Sequence, residues 1–135
     1  MAYDIKNTKE SRYSDFDFDF EAHPRTGNLI LKKDIAAVSQ SVRNLVQTNR
    51  FERLFQPEIN GKVRRMLFEL ITPATAVQLR SHVKDVLQQH EPRINVVDVV
   101  VVAKEETNYL TVTITYLVKT TNDFVSTDII LKRTR

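Results

Sequence analysis

The sequence predicts an α+β fold, in which an N-terminal arm and about three helices pack on a C-terminal three-stranded antiparallel β-meander. Two observations lead to this class. Apolar residues recur with the period of a helix between residues 34 and 90, and with the period of a strand after residue 93. The strand-like segments are also separated by short polar linkers, which favours an antiparallel meander.

Length and composition are those of a modest globular domain. With 135 residues, the chain fits one domain with one hydrophobic core. Its 41% apolar and 27% charged residues are ordinary for a soluble protein. The absence of cysteine excludes disulfides and thiolate chemistry and fits a reducing compartment. We expect neither a signal peptide nor a membrane span, and a formal net charge of +3 is too small to indicate nucleic acid.

Residues 1–27 are predicted to form an extended arm, followed by a single α+β domain over residues 28–135. From Asp15 to Phe20, acids and phenylalanines alternate, which would place three rings on one side of an extended segment. Two interpretations are open. The rings cover the protein's own core, or they pack partly on a partner.

Three helices are predicted between the arm and the strands. The first covers residues 34–48 with Asp34 as its N-cap, and the second covers residues 62–71. The third begins at Thr72-Pro73 and ends near His90, because a following proline disfavours helical geometry. Each helix carries one apolar stripe: Ile35, Val38, Val42, Leu45 and Val46; Val63, Met66, Leu67, Leu70 and Ile71; Ala76, Leu79, Val83, Val86 and Leu87.

Three strands are predicted to follow. Residues 94–103 form a nearly continuous valine run, which indicates a strand that is covered on both faces or paired centrally. Residues 108–119 and 124–132 alternate between apolar and polar side chains, as half-buried strands do. The residues predicted to share the inner face are Leu110, Val112, Ile114, Tyr116 and Val118, then Val125, Thr127, Ile129 and Leu131.

The connection between the first two helices, residues 48–61, interleaves arginine with phenylalanine. Such a loop can stack bases and bind phosphates. We favour a structural interpretation, in which Phe51 and Phe55 fill the core from the loop. The arginines would then pair with local acids or with a protein partner.

Residues 91–93 join the helical and strand-rich parts of the chain, and we call them the Glu-Pro-Arg turn. Extended geometry would place Glu91 and Arg93 on the same side, because residues two apart in a strand-like segment share a face. Pro92 would fix the backbone between them. The Glu91 carboxylate would then accept hydrogen bonds from a partner's arginine, and the Arg93 guanidinium, with its five N–H donors, would bind a partner's carboxylate. The alternative is an internal cap, in which Arg93 binds the last helical carbonyls and Glu91 is solvated.

The sequence assigns no catalytic, cofactor-binding or metal-binding residue. Glu58, Glu69 and Glu91 are the candidate carboxylates for sugar hydrolysis, but they lie among arginines, which would lower a pKa that the general acid needs raised. The three histidines show no metal-ligand spacing, and two glycines cannot supply a glycine-rich phosphate loop. An enzyme is therefore not expected.

An ordered set of short motifs runs through the chain. At residues 87–94, Leu-Gln-Gln-His-Glu-Pro-Arg-Ile closes an amphipathic helix and opens a valine-rich strand. The others are Ser14-Asp15, the Asp34 helix, Arg50-Phe51, Pro57-Glu58, Gly61, Leu67-Phe68-Glu69 and Thr72-Pro73. Over about residues 10–133, this set resembles the baseplate wedge family of contractile-tailed phages, which is shared with the baseplate subunit of type VI secretion systems. The 51–61 loop departs from the family, since it lacks a glycine-rich entry and Ile59-Asn60 precedes its glycine.

The resemblance implies a structural subunit of the baseplate wedge that joins the wedge to the first ring of the contractile sheath. It assigns partner binding to Glu91, Pro92, Arg93, Arg50 and Glu58. The implied partners are the larger wedge subunits that form the core bundle, the tail sheath protein and tube-proximal hub proteins, with no nucleic acid and no membrane. The implied location is the virion tail baseplate, assembled in the cytoplasm of the host bacterium.

Two further points belong to this resemblance. Some family members carry a lysozyme-like label, but the residues of this chain do not support that activity. A second function class also stays open, in which the chain is a soluble regulatory module of the same fold that sequesters one protein partner.

Overall fold

The computed structural model contains five strands and three helices in the residues that it describes, which are 11–59, 62–66, 68–69, 72–104 and 109–132. The chain divides into two units, residues 1–37 and 38–135. The elements in chain order are β1 (Ser14–Phe16), β2 (Leu31–Lys33), α1 (Ile35–Gln47), α2 (Val63–Met66), α3 (Pro73–His90), β3 (Ile94–Lys104), β4 (Tyr109–Val118) and β5 (Asp123–Lys132). The predicted α+β class is confirmed.

In the first unit, β1 and β2 form a small antiparallel sheet with Phe16 opposite Leu31. The extended geometry ends at Phe16, because a turn follows, so the expected period-two row of three phenylalanines is not formed. The expected N-cap at Asp34 is also wrong. Asp34 has a left-handed backbone with φ of 46°, and its Oδ1 accepts from the amides of Arg12 at 2.9 Å and Tyr13 at 3.3 Å.

The long helices α1 and α3 follow the sequence closely. Each lies within a residue or two of its predicted range. The buried residues of α3 all belong to its predicted stripe, whereas α1 also buries Ala37 and Gln40, and Ile35 of its stripe is only half-buried. At the start of α3, Thr72 Oγ1 accepts from the amide of Thr75 at 3.3 Å, and Thr75 Oγ1 accepts from the amide of Thr72 at 2.8 Å. This reciprocal capping box, with Pro73 in the first helical turn, explains why α3 begins here.

The second helix is shorter than predicted. Only Val63–Met66 is helical among the described residues, and the amides of Phe68 and Glu69 then donate to Arg65 and Met66 carbonyls in a turn. Leu67, Leu70 and Ile71 of the predicted helix lie outside the described residues.

The C-terminal sheet has the strand order β3-β4-β5, and both neighbouring pairs are antiparallel. This confirms the meander, and residues 105–108, which connect β3 with β4 in the sequence, lie outside the described residues. Every second residue of β4 is buried, as its alternation predicts. Tyr116 in this row links two layers, since its hydroxyl lies 2.8 Å from Ser39 Oγ on α1 and 3.1 Å from Thr127 Oγ1 on β5.

The expectation for β3 is wrong, because β3 is an edge strand and one of its faces is exposed. A β-bulge explains the valine run. Val96 pairs with Tyr116 and Asp98 with Thr115, which leaves Val97 as the extra residue. Before the bulge the inward-facing residues have even numbers, and after it they have odd numbers. Apolar residues therefore occupy both even and odd positions, although only one face of β3 is covered.

Candidate functional site

The Glu-Pro-Arg turn changes the chain from helix to strand within three residues. The amide of Glu91 donates to the Leu87 carbonyl at 2.9 Å, so Glu91 closes α3. Pro92 has no amide to continue the helix, and Ile94 begins β3. Because α3 packs on β3, the turn lies where the two elements meet.

The Glu91 carboxylate is buried and is bound from two elements. Only 2% of the residue is exposed. Arg93 Nε donates to Glu91 Oε1 at 2.6 Å, and Arg93 Nη2 donates to Oε2 at 2.6 Å, which makes a bidentate pair. Ser41 Oγ on α1 donates to Oε2 at 2.6 Å. The carboxylate therefore ties α1 to the joint between α3 and β3.

This geometry differs from both sequence-based interpretations of the turn. Glu91 and Arg93 lie on the same side, as expected, but they bind each other. The carboxylate of Glu91 is therefore not displayed beside the guanidinium for a partner. It is not solvated either, so this part of the capping alternative is wrong.

The environment of Glu91 keeps its carboxylate ionised at neutral pH. Burial raises the pKa of Glu91, but the hydrogen bonds from Arg93 and Ser41 and the charge of Arg93 outweigh that effect. The pKa of Glu91 consequently lies below the usual value for glutamate. The general acid of a glycosidase needs a pKa shifted in the opposite direction.

The surface of the turn consists of Pro92 and one flank of Arg93. Pro92 is exposed, and 29% of the Arg93 side chain is exposed. From the turn between β4 and β5, Lys119 Nζ donates to the Pro92 carbonyl at 2.7 Å, and the Lys119 amide donates to the Arg93 carbonyl at 3.0 Å. Lys119 thus binds the backbone of the turn at two successive carbonyls.

The predicted binding residues Arg50 and Glu58 lie on a separate surface, which we call the 50–58 loop. Both residues are exposed, and the Arg50 guanidinium lies 4.8 Å from the centre of the Phe51 ring. The expectation that Phe51 and Phe55 fill the core is wrong, because both rings are exposed. Ile59 is the buried apolar residue of this segment.

Other kinds of site find no support in the described part of the chain. Over those residues, no group of three or more His, Asp or Glu side chains could hold a metal ion. No described helix is both long enough and apolar enough to span a membrane. Glu58 and Glu69, the other candidate carboxylates, are exposed.

Two residues that bind the Glu-Pro-Arg turn were missed by sequence reasoning. Ser41 lies 50 positions before Glu91, and Lys119 lies 27 positions after Pro92. The sequence signal at Ser41 is weak, since a serine beside an apolar stripe is common on helices. Only the packing of α1 identifies it.

Comparison with known proteins agrees with this fold. The sequence matches the family described as baseplate wedge protein gp25 over residues 32–123, more than half of the chain. A candidate tail lysozyme from Geobacter sulfurreducens is 25% identical, with a TM-score of 0.65 over 73% of this chain and 89% of that chain. A chain of the anti-feeding prophage baseplate is 21% identical, with a TM-score of 0.62 over 87% and 83% of the two chains. A chain of the postcontracted pyocin R2 baseplate is 23% identical, with a TM-score of 0.50 over 82% and 97%. The comparison with curated proteins finds no match.

The family match over residues 32–123 defines the class of protein, a structural baseplate subunit. The chain belongs to the family of baseplate wedge protein gp25. The family resemblance inferred from the ordered motifs is therefore confirmed, and the chain is a structural component of a baseplate, with other baseplate proteins as its partners. The description as a tail lysozyme concerns the Geobacter protein.

Proposed function

We propose that the chain docks on the core bundle of the baseplate wedge through the Glu-Pro-Arg turn and templates the first ring of the tail sheath by strand addition. Larger wedge subunits form the core bundle, and tube-proximal hub proteins are further neighbours. Assembly takes place in the cytoplasm of the host bacterium. The observation that carries this proposal is the partly exposed Arg93 fork, held in place by Glu91.

Arg93 suits docking because its guanidinium is fixed before a partner arrives. Two of its nitrogen atoms bind Glu91 at 2.6 Å, so little side-chain freedom remains to be lost on binding. The carboxylate also compensates the positive charge, which reduces the electrostatic cost of covering the turn with protein. The exposed flank of Arg93 and the rigid Pro92 can then contact a carboxylate or a row of helix-end carbonyls on the bundle.

The test removes the charges of Glu91 and Arg93 together, so that neither charge is left without its partner. In Glu91→Gln/Arg93→Gln, we expect a folded chain whose affinity for the purified wedge complex falls at least about tenfold. The matched control is Arg80→Gln/Asp98→Asn, which removes an exposed 2.6 Å ion pair between α3 and β3. A folded turn variant that binds as tightly as this control would remove the docking proposal.

Strand addition is proposed at the outer edge of β5. In the described residues, both β3 and β5 are edge strands. The register of β3 is broken by the bulge at Val97, whereas β5 pairs with β4 in continuous register from Asp123 to Lys132. A regular edge is the better template, because an added strand must match successive amides and carbonyls.

Single proline substitutions along β5 test this edge with an internal control. In a strand, successive amides point to opposite edges, so prolines at Ser126, Thr127 and Asp128 sample both directions. We expect prolines whose missing amide faced outward to leave a folded chain that binds the wedge but does not start sheath polymerisation. Normal sheath assembly with all folded proline variants would remove the templating proposal.

We also propose that the chain has no glycosidase activity and that Arg50 and Glu58 bind protein partners. The buried, ion-paired Glu91 supports the first statement, since it lacks the raised pKa of a general acid. A cell-wall hydrolysis assay on the pure protein tests it. Activity that disappears in Glu91→Gln would overturn the proposal.

A further inference from the structure

We propose that the 50–58 loop is a second docking element, which inserts Leu54 and Phe55 into an apolar socket with an acidic rim on a neighbouring protein subunit. This inference rests on the proposed binding of protein partners by Arg50 and Glu58, and it adds the residues that enter the partner and the chemistry of the partner's surface. The contact is separate from docking through the Glu-Pro-Arg turn and from strand addition at β5, so it can be tested separately.

The loop is preformed, although most of its side chains are exposed. The amide of Phe51 donates to the Pro57 carbonyl at 3.3 Å and closes the loop. At its beginning, Glu52 Oε2 accepts from the Asn49 amide at 2.6 Å. At its end, Ile59 is buried in the core. Backbone and carboxylate contacts therefore set the shape of the loop.

Two large apolar residues occupy the tip of the loop. The Gln56 amide donates to the Arg53 carbonyl at 3.3 Å, which places Leu54 and Phe55 at the two central positions of a turn. Leu54 is 90% exposed and Phe55 is 96% exposed. Neither side chain contributes to the core, yet both present nearly their whole surface on a preformed turn. Adjacent exposed apolar side chains of this kind are typical of protein interfaces.

The charges around the tip identify the chemistry of the partner. Within the described residues, Arg53 makes no ion pair, so its guanidinium is available to a carboxylate at the rim of a socket. Arg50 and Arg53 are balanced by Glu52 and Glu58, so the loop has no net positive charge. An anionic bilayer would gain no net electrostatic attraction to such a loop, which favours a protein over a lipid surface.

Photo-crosslinking in the assembled particle tests the occupant of the tip. A photoreactive phenylalanine analogue replaces Phe55 in the complete chain, and baseplates are assembled in cells, irradiated and purified. We expect an adduct with a different baseplate subunit, at a peptide that combines apolar residues with Asp or Glu. An adduct with a second copy of this chain or with lipid, or no adduct in particles that contain the chain, would overturn the inference.

A binding measurement gives the size of the contribution. The probe is baseplate material purified from cells that lack this chain, titrated with the complete purified chain. We expect Leu54→Ser/Phe55→Ser to weaken binding about 10- to 100-fold. The matched control is Val77→Ser, which removes an exposed apolar side chain from α3. Equal binding by the tip variant and the control would overturn the inference, whereas failure of Glu91→Gln/Arg93→Gln to weaken binding would bear only on the Glu-Pro-Arg turn.

Discussion

The Glu-Pro-Arg turn and the 50–58 loop both combine charged residues with a proline, but they use them in opposite ways. In the turn, the two charges are paired with each other, and only 2% of Glu91 is exposed. In the loop, two apolar side chains are almost fully exposed and the charges lie at the surface. We therefore expect changes in the turn to affect both stability and partner binding, and changes in the loop to affect partner binding alone. Mutations that separate stability from binding test this difference.

Arg93→Ala should have the largest effect on stability. It removes the cation that binds a buried carboxylate at 2.6 Å through two nitrogen atoms. An uncompensated buried charge costs about 3–5 kcal/mol, and we expect the lower end of that range because 29% of the Arg93 side chain is exposed. Urea denaturation followed by circular dichroism measures the change. Arg50→Ala in the exposed loop is the comparison, with an expected change within about 0.5 kcal/mol. Equal losses in the two variants would contradict the contrast between the regions.

Ser41→Ala should have the next largest effect. A hydrogen bond to an ionised group contributes about 1.5–3 kcal/mol, and Ser41 Oγ donates to Glu91 Oε2 at 2.6 Å. The same denaturation measurement applies. Ser81→Ala, at an exposed position of α3, is the matched control with an expected change within about 0.5 kcal/mol. A loss in Ser41→Ala no greater than in the control would mean that α1 does not support the turn.

The decrease in the free energy of unfolding at acid pH should depend on Glu91. Its folded pKa lies below the ordinary value, so its ionised form stabilises the fold above the unfolded pKa of about 4.3. This contribution is lost as the pH falls through the lower folded pKa. We expect stability to decline less steeply with acid in Glu91→Gln than in the natural chain. Asp17→Asn is measured beside it, because the hydrogen bond from Lys32 also lowers the pKa of Asp17. Equal acid slopes in Glu91→Gln and the natural chain would contradict the prediction.

Elements with one dominant local signal were predictable from the sequence. The capping box and Pro92 define the two ends of α3, and strict alternation defines β4. The range of β3 was predictable, but its edge position and exposed face were not, because its bulge at Val97 exists only relative to the partner strand. In the sequence, a valine run whose inward-facing positions change from even to odd residue numbers cannot be distinguished from a strand that is covered on both faces.

The candidate site was predictable in position but not in its contacts. The periodicity change places the Glu-Pro-Arg turn, whereas Ser41 reaches it from 50 residues away without any sequence pattern. In the 50–58 loop, aromatic residues were expected inside because they are usually buried. In the structure both rings are exposed and Ile59 is the residue that is buried, and no periodicity in the sequence indicates this arrangement.

Leu54→Ser/Phe55→Ser should have the smallest effect on stability and thereby gives the sharpest contrast with Arg93→Ala. Both side chains are more than nine-tenths exposed, so their truncation removes almost no packing, and we expect the free energy of unfolding to change by less than about 0.5 kcal/mol. The same urea titration measures this. A loss of about 1 kcal/mol or more would show that the tip packs within its own chain, since a residue without intramolecular contacts cannot stabilise the fold. An unchanged stability together with weakened binding to baseplates is the result expected of residues that serve an interface alone, in contrast to the Glu-Pro-Arg turn, whose variants we expect to lose both stability and binding.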